Sequence, residues 1–170
     1  RDPENQHGKL LALPQGAEYP PASMNRTRRR SWKKWIIPAV LLALGLAQLV
    51  PVSRTNPPVK ASFEGPIAVR EIFQRSCYDC HSNQTQWPWY SYVAPASWLV
   101  ADHVEEGREE LNFSNWPAYD DSSMREEIVE ETTEGEMPMP SYLLIHRKAR
   151  LSSEDLAVLR QWADAPTEGL

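Results

Sequence analysis

The chain is poor in cysteine, glycine and histidine. Its 170 residues include two cysteines, seven glycines and four histidines, and they contain no glycine-rich phosphate loop, nucleophile elbow or internal repeat. Without further cysteines, a zinc site would need two more ligands from His7, His103 and His146, at a spacing unfamiliar for zinc. The C-terminal two thirds lack any run that alternates like a β-strand. The sequence therefore predicts an all-α fold.

Both cysteines lie in one five-residue motif. Cys77 and Cys80 are separated by two residues, and His81 follows at once. This CxxCH order is typical of covalent c-type haem attachment, in which two thiols bond the porphyrin and the adjacent imidazole reaches the iron. The motif predicts thioethers at Cys77 and Cys80, with His81 as the proximal ligand of one haem c per chain.

A thiol-disulfide motif is the first alternative for this CxxC pair. A thioredoxin-like motif should follow a strand, whereas Val69, Ile72 and Phe73 recur at helical spacing just before Cys77. The helical pattern favours haem attachment and leaves a thiol-disulfide oxidoreductase as an alternative.

Residues 35–52 form the one long apolar stretch, with Gln48 as its only strongly polar residue. A helix of this length would reach about 27 Å, close to the thickness of a bilayer core. Six basic residues precede the stretch between positions 26 and 34, so the positive-inside rule predicts a cytoplasmic N-terminus and an exported C-terminal part. We expect a cytoplasmic tail over 1–34, a transmembrane anchor over 35–52, a linker over 53–65 and a haem-binding domain over 66–165. A cleaved signal peptide is the alternative to an anchor.

Charge is divided unevenly along the chain. Residues 57–170 carry nine basic and 20 acidic side chains, a balance of −11. Such a domain would repel nucleic acid and would favour a redox partner with a basic docking patch.

Four helices are predicted in the exported domain, at about 66–76, 94–111, 121–133 and from 152 onward. The last begins with Ser152 and Asp155, spaced as a variant of the capping box. The pattern indicates a small cytochrome c-like helical domain that encloses the haem.

A methionine-rich loop, residues 134–140, lies between the third and last of these helices. A thioether opposite His81 would complete His/Met ligation, which suits electron transfer. Met137 is the first candidate and Met139 the alternative, with His103 and His146 as competitors.

Other side chains could contact a haem. Five large rings either cover the porphyrin or pack in the core: Trp87, Trp89, Tyr92, Trp98 and Trp116. Arg70, Arg75 and Arg108 could each pair with a propionate.

With these residues in place, the chain resembles the haem-binding domain family of bacterial membrane-anchored, c-type-cytochrome-like proteins, over roughly residues 35–165. The matching runs are Asn56-Pro57-Pro58-Val59, Cys77 to Asn83, Trp87-Pro88-Trp89-Tyr90, Ala94-Pro95, Gly107-Arg108, Leu111-Asn112-Phe113-Ser114, Met137-Pro138 and Tyr142 to His146.

The resemblance implies a periplasmic domain with covalent haem, His81 as proximal ligand and the methionine of the Met-Pro motif as distal ligand. Family members often have a second proline where this chain has Met139, so Met139 stays an alternative to Met137.

The predicted function is one-electron transfer by a monohaem cytochrome at the bacterial inner membrane, an electron carrier rather than an enzyme. The alternatives are a haem-based gas or redox sensor, or a weak peroxidase, each of which requires a labile distal ligand.

Overall fold

The computed structural model describes residues 26–166 of the chain, with side chains from Trp32 onward. These residues divide into two compact units at the boundary between Leu42 and Ala43. Seven α-helices are described: α1 Arg26–Ala47, α2 Ile67–Ser76, α3 Tyr78–His81, α4 Ala96–Glu110, α5 Ser122–Glu134, α6 Pro140–Leu143 and α7 Ser153–Ala163. Short 3-10 turns occur at Trp89–Tyr92, Trp116–Ala118 and Arg147–Ala149. Residues 26–166 contain no β-strand, which confirms the all-α prediction.

The N-terminal helix differs from the predicted anchor. Helix α1 begins within the basic cluster and ends at Ala47, well short of residue 52. The chain leaves the helix ahead of Pro51, which has no amide hydrogen to continue it. Beyond the helix end, the side-chain amide of Gln48 donates to the Ala94 carbonyl at 3.2 Å and accepts from the Ala94 amide at 3.0 Å. None of the helices between residues 26 and 166 combines the length and apolar composition required to span a bilayer. The predicted cytoplasmic tail lies mostly in residues 1–25, outside the described part of the chain.

The four helices predicted for the second unit are present within two residues of their expected starts. Pro66 precedes α2, and Asp121 caps α5 by accepting a hydrogen bond from the Met124 amide at 2.8 Å. Helix α5 ends at Gly135, whose φ of +82° is a left-handed conformation that glycine adopts without a steric penalty. In α7, Ser152 and Asp155 form the reciprocal capping box that their spacing predicted.

An aromatic core holds the helices of the second unit together. Phe73 of α2 and Trp162 of α7 lie edge to face at 5.4 Å, and Phe63 packs against both. Such pairs add to the free energy of burying the rings themselves. Because Phe63 is 2% exposed, part of the segment before α2 belongs to the core rather than to a free linker.

The extended segment before α2 also pairs with the chain after α4. The Phe63 amide donates to the Phe113 carbonyl at 3.1 Å, and the Trp116 amide donates to the Ala61 carbonyl at 3.0 Å. These bonds satisfy backbone groups that would otherwise be buried without partners. They fix the position of the end of α4 relative to α2.

The α7 cap provides a test of this arrangement. Ser152→Ala removes the side-chain acceptor for the Asp155 amide, so we expect it to lower the free energy of unfolding by about 1 kcal/mol. Ser122→Ala is the matched control, since Ser122 is exposed at the first position of α5 and no side-chain hydrogen bond of Ser122 is found within the described chain. Denaturant titration should separate the two variants, and equal stability would contradict the capping role.

Candidate functional site

The CxxCH motif forms a short helical turn at the end of α2. Cys77 ends α2, and its carbonyl accepts from the amides of Cys80 at 3.2 Å and His81 at 2.9 Å. The turn brings Cys77, Cys80 and His81 to one side, where all three line a cavity of about 600 Å³. Tyr78 is directed into the core instead, where its ring stacks on Phe113 at 5.3 Å. The structure therefore brings together the three residues that the motif predicted.

His81 is held by the end of helix α4. Its Nδ1 lies 2.7 Å from the Gly107 carbonyl and 3.2 Å from the Leu111 carbonyl. Since carbonyls only accept hydrogen bonds, Nδ1 carries the proton and Nε2 keeps its lone pair. Burial lowers the pKa of His81, and the two carbonyls oppose that shift. The result is a neutral imidazole, oriented as a metal ligand requires.

Gly107 allows α4 to approach the motif closely. A Cβ at this position would lie 3.1 Å from the Cys80 carbonyl oxygen and 3.3 Å from Cys80 Cβ. The closest part of the contact is backbone, which yields less easily than the end of a flexible side chain. The sequence placed Gly107 in a matching run but gave it no structural role, because that role depends on a contact 27 residues away along the chain.

The two cysteines are free thiols in this structure. Burial raises the pKa of Cys77 to about 12, and negative charge on Cys80 would add to this shift. Burial raises the pKa of Cys80 to about 11, and the charge of Asp79 adds to that shift. Reactive thiols in redox enzymes have lowered pKa values, because the thiolate is the nucleophile. This environment therefore lacks the activation that a thiol-disulfide oxidoreductase needs.

Both candidate methionines contribute to the same cavity. Met137 and Met139 line it from the segment between α5 and α6, and Pro138 lies between them. The Met137 amide donates to the Glu131 carbonyl at 3.1 Å, which ties this segment to the end of α5. We call residues 137–139 the methionine segment. The predicted proximal and distal candidates thus share one cavity.

The two competing histidines are placed differently. His103 lies one turn before Gly107 on α4 and lines the cavity. His146 is not among the residues that line it, and its Nε2 lies 2.7 Å from the hydroxyl oxygen of Tyr90. That contact engages one of its two ring nitrogens outside the cavity.

None of the five large rings predicted either to cover a porphyrin or to pack in the core lines the cavity. Trp116 packs in the core, while Trp89 and Tyr92 are exposed. The aromatic lining of the cavity comes instead from Phe113 and Tyr142. Aromatic content alone could not distinguish these locations, because long-range packing decides which rings meet the cavity.

The three arginines are also engaged away from the cavity. Arg75 pairs with Asp155 at 2.7 Å, and Arg70 donates to the Gly65 carbonyl at 3.3 Å. Arg108 makes four hydrogen bonds of 2.8 to 3.0 Å, and their acceptors are the Ser82 carbonyl, the Thr55 carbonyl, Asn56 Oδ1 and Thr85 Oγ1. Arg108 therefore binds the segment before α2 to the loop after His81.

Two further features of the cavity wall were not predicted. The hydroxyl of Ser76 is buried in the wall and has no hydrogen-bond partner among the described residues. Acidic side chains contribute much of the polar lining: Asp79, Glu106, Glu109, Glu110, Glu127 and Glu131. Three of these on α4, Glu106, Glu109 and Glu110, are exposed, and so is Glu127 on α5. Negative charge therefore surrounds the opening of the cavity.

Comparison with known proteins identifies the domain. A family model described as a haem-binding domain matches residues 42–165. No curated protein matches the chain, and no solved structure does so either.

The residues present fit a haem. The cavity volume lies within the range of about 300–1,000 Å³ that is usual for cofactor sites. Its wall supplies an imidazole with a free Nε2, two thiols from the same turn and two thioethers from another segment. Gly107 leaves room for the close backbone approach that holds this wall together.

A substitution at Gly107 tests the geometry of the wall. Gly107→Ala should force α4 away from Cys80 and weaken the His81 hydrogen bonds, so we expect a loss of about 1–3 kcal/mol in stability. Gly45→Ala is the control, because a Cβ at Gly45 in helix α1 would meet no atom within 4 Å. Alanine at an open helical site should leave stability equal or raised by about 1 kcal/mol. Denaturant titration of both proteins measures the difference, and equal effects would show that the close approach is unimportant.

Proposed function

Because the chain belongs to the haem-binding domain family, we propose that it is a monohaem c-type cytochrome that carries single electrons. Cys77 and Cys80 form thioethers to the porphyrin, and His81 Nε2 is the proximal ligand. The observation that supports this most directly is the common wall formed by these three side chains, with His81 Nδ1 bonded to the carbonyls of α4. That bond fixes the ring orientation and raises the basicity of the ligand nitrogen.

A methionine of the methionine segment is the distal ligand in this proposal, with Met137 ahead of Met139. Both lie in the wall of the same cavity as His81. A haem held between imidazole and thioether supplies a reversible one-electron change at its iron, and it needs no substrate. The side chains of the chain bind, orient and enclose that group. An electron carrier, rather than an enzyme, is the function that this ligand set supports.

Partner choice follows from charge. Glu106, Glu109 and Glu127 are exposed beside the cavity, and no lysine or arginine is among its lining residues. Complementary potentials speed the encounter of redox partners and select their orientation. We therefore expect a partner that presents a basic docking patch to this side of the domain.

We place this activity on the periplasmic side of the bacterial inner membrane. The proposal rests on the basic residues that precede the apolar N-terminal stretch and on the cysteine chemistry, which requires a compartment outside a reducing cytosol. Fractionation of cells that express the full chain tests it. Protease-accessible haem domain in spheroplast membranes would agree, and a cytosolic protein would not.

Substitution of His81 tests the proximal ligand. The full chain, expressed in a host that matures c-type cytochromes, should retain haem through denaturation and acidic organic extraction and should give a low-spin spectrum. His81→Ala should abolish the low-spin spectrum because the imidazole is lost. The control is His146→Ala, whose imidazole bonds Tyr90 outside the cavity and should leave the spectrum low-spin. Colourless wild-type protein from a proven host would instead favour thiol redox chemistry at Cys77 and Cys80.

Substitution of the methionines tests the distal ligand. Met137→Ala should give high-spin ferric haem that binds carbon monoxide readily once reduced, because the sixth position loses its thioether. Met139→Ala serves as the matched variant from the same segment and should stay low-spin. The reverse result would assign Met139. A wild-type protein that is already high-spin would support the sensor or peroxidase function in place of the electron carrier.

A further inference from the structure

A hydrogen bond joins the haem-attachment motif to the helix that follows the methionine segment. Asp79, inside the CxxCH motif, accepts a hydrogen bond from the Tyr142 hydroxyl at 2.7 Å. Tyr142 belongs to α6, which begins directly after Met139. Both side chains line the cavity. The bond therefore connects the segment that bears His81 with the segment that bears the candidate distal ligands.

The acceptor in this bond is itself fixed. The second carboxylate oxygen of Asp79 accepts from the Gln86 amide at 3.1 Å. A carboxylate with both oxygens engaged has little freedom to turn away from Tyr142. Burial raises the pKa of Tyr142, and the hydrogen bond to Asp79 adds to this shift. Its hydroxyl accordingly keeps its proton and remains a donor over the ordinary pH range.

The ring of Tyr142 also packs against a second residue, His146. It stacks on the His146 ring at 4.2 Å with an interplanar angle of 3°. His146 in turn contacts the Tyr90 hydroxyl through Nε2 at 2.7 Å. The position of the ring is thus set from one side by His146 and at its hydroxyl by Asp79.

Backbone hydrogen bonds also hold the methionine segment at both ends. At its start, the Met137 amide donates to the Glu131 carbonyl, and at its end, the Met139 carbonyl accepts from the Leu143 amide of α6. Helix α6 has only four residues and buries none of them fully, so its own packing contributes little to its position. The bond from Tyr142 to Asp79 is a side-chain hydrogen bond that joins α6 to the attachment motif.

We propose that Tyr142 is a positioning residue that holds the methionine segment in the wall of the cavity shared with His81, so that its hydroxyl would control how readily a thioether ligand from that segment exchanges. This inference rests on the proposed cytochrome function and extends it to a residue that does not touch the iron. Charge-assisted hydrogen bonds are stronger than neutral ones, so the loss of this one should be measurable in ligand exchange.

The test is the rate at which imidazole binds to the ferric full-length holoprotein. At saturating imidazole this rate reports the opening of the distal side, because the thioether must leave first. Tyr142→Phe removes the hydroxyl and keeps the stacked ring, so we expect opening to be about tenfold faster. The spectrum of the closed protein should remain low-spin.

Tyr119→Phe is the matched control. Tyr119 is also half-buried, but its hydroxyl makes only 3.5 Å contacts with carbonyls of α4 and lies outside the cavity lining. Its loss should leave the opening rate within about twofold of the wild-type rate. Equal acceleration in both variants would mean a general loosening of the domain and would overturn the proposal.

Asp79→Ala, alone and combined with Tyr142→Phe, completes a double-mutant cycle. If the two residues act through their shared bond, the double variant should open no faster than either single variant. Additive effects would overturn the proposal. Asp79→Ala also carries the test by itself if the Tyr142→Phe protein fails to mature, because it removes the acceptor of the same bond.

Failure of this inference is distinguishable from failure of the proposed function. A wild-type protein without attached haem contradicts both. A wild-type protein with His/Met haem and an unchanged opening rate in Tyr142→Phe contradicts the positioning role alone.

Discussion

The contact between the attachment turn and helix α4 is the constraint on which the rest of the site depends. Gly107 lets the two backbones approach, and its carbonyl then accepts a hydrogen bond from His81 Nδ1 at 2.7 Å. A Cβ at position 107 would crowd the Cys80 backbone, force a shift of a few tenths of an ångström and weaken the hydrogen bonds that hold the imidazole. The orientation of one ring therefore follows from the absence of one Cβ. Cys77 and Cys80 lie in the same turn as His81, so their positions depend on the same contact.

The surrounding fold keeps that contact rigid. Aromatic packing of Phe63, Phe73 and Trp162 joins α2 to α7, while Arg108 binds the loop after His81 to the segment before α2. This arrangement half-buries the two cysteines, and the desolvation raises the pKa of each thiol and leaves them poorly suited to disulfide exchange. The same burial suits thioethers, which carry no charge. Structure and thiol chemistry thus favour the same function for the motif.

Local sequence patterns predicted the parts of the structure that local physics controls. The helices of the second unit follow from apolar spacing and from the Ser152 and Asp155 capping box, and CxxCH located one wall of the cavity. The helix predicted over 35–52 ends earlier, at Ala47, and Gln48 beyond it bonds the backbone of Ala94. The sequence did not indicate this contact because the partner lies 46 residues away. The Asp79 to Tyr142 bond spans 63 residues and was missed for the same reason. Hydropathy and periodicity carry no information about such distant partners.

Peptide mapping of the mature full chain by mass spectrometry tests the central claim most directly. Protein from a host that matures c-type cytochromes should gain the mass of one haem, and fragmentation should locate that mass on the peptide that contains Cys77 and Cys80. Alkylation should then find no free thiol, because both sulfurs are in thioethers. Unmodified protein with two free thiols, from a host that matures a control cytochrome, would contradict the account.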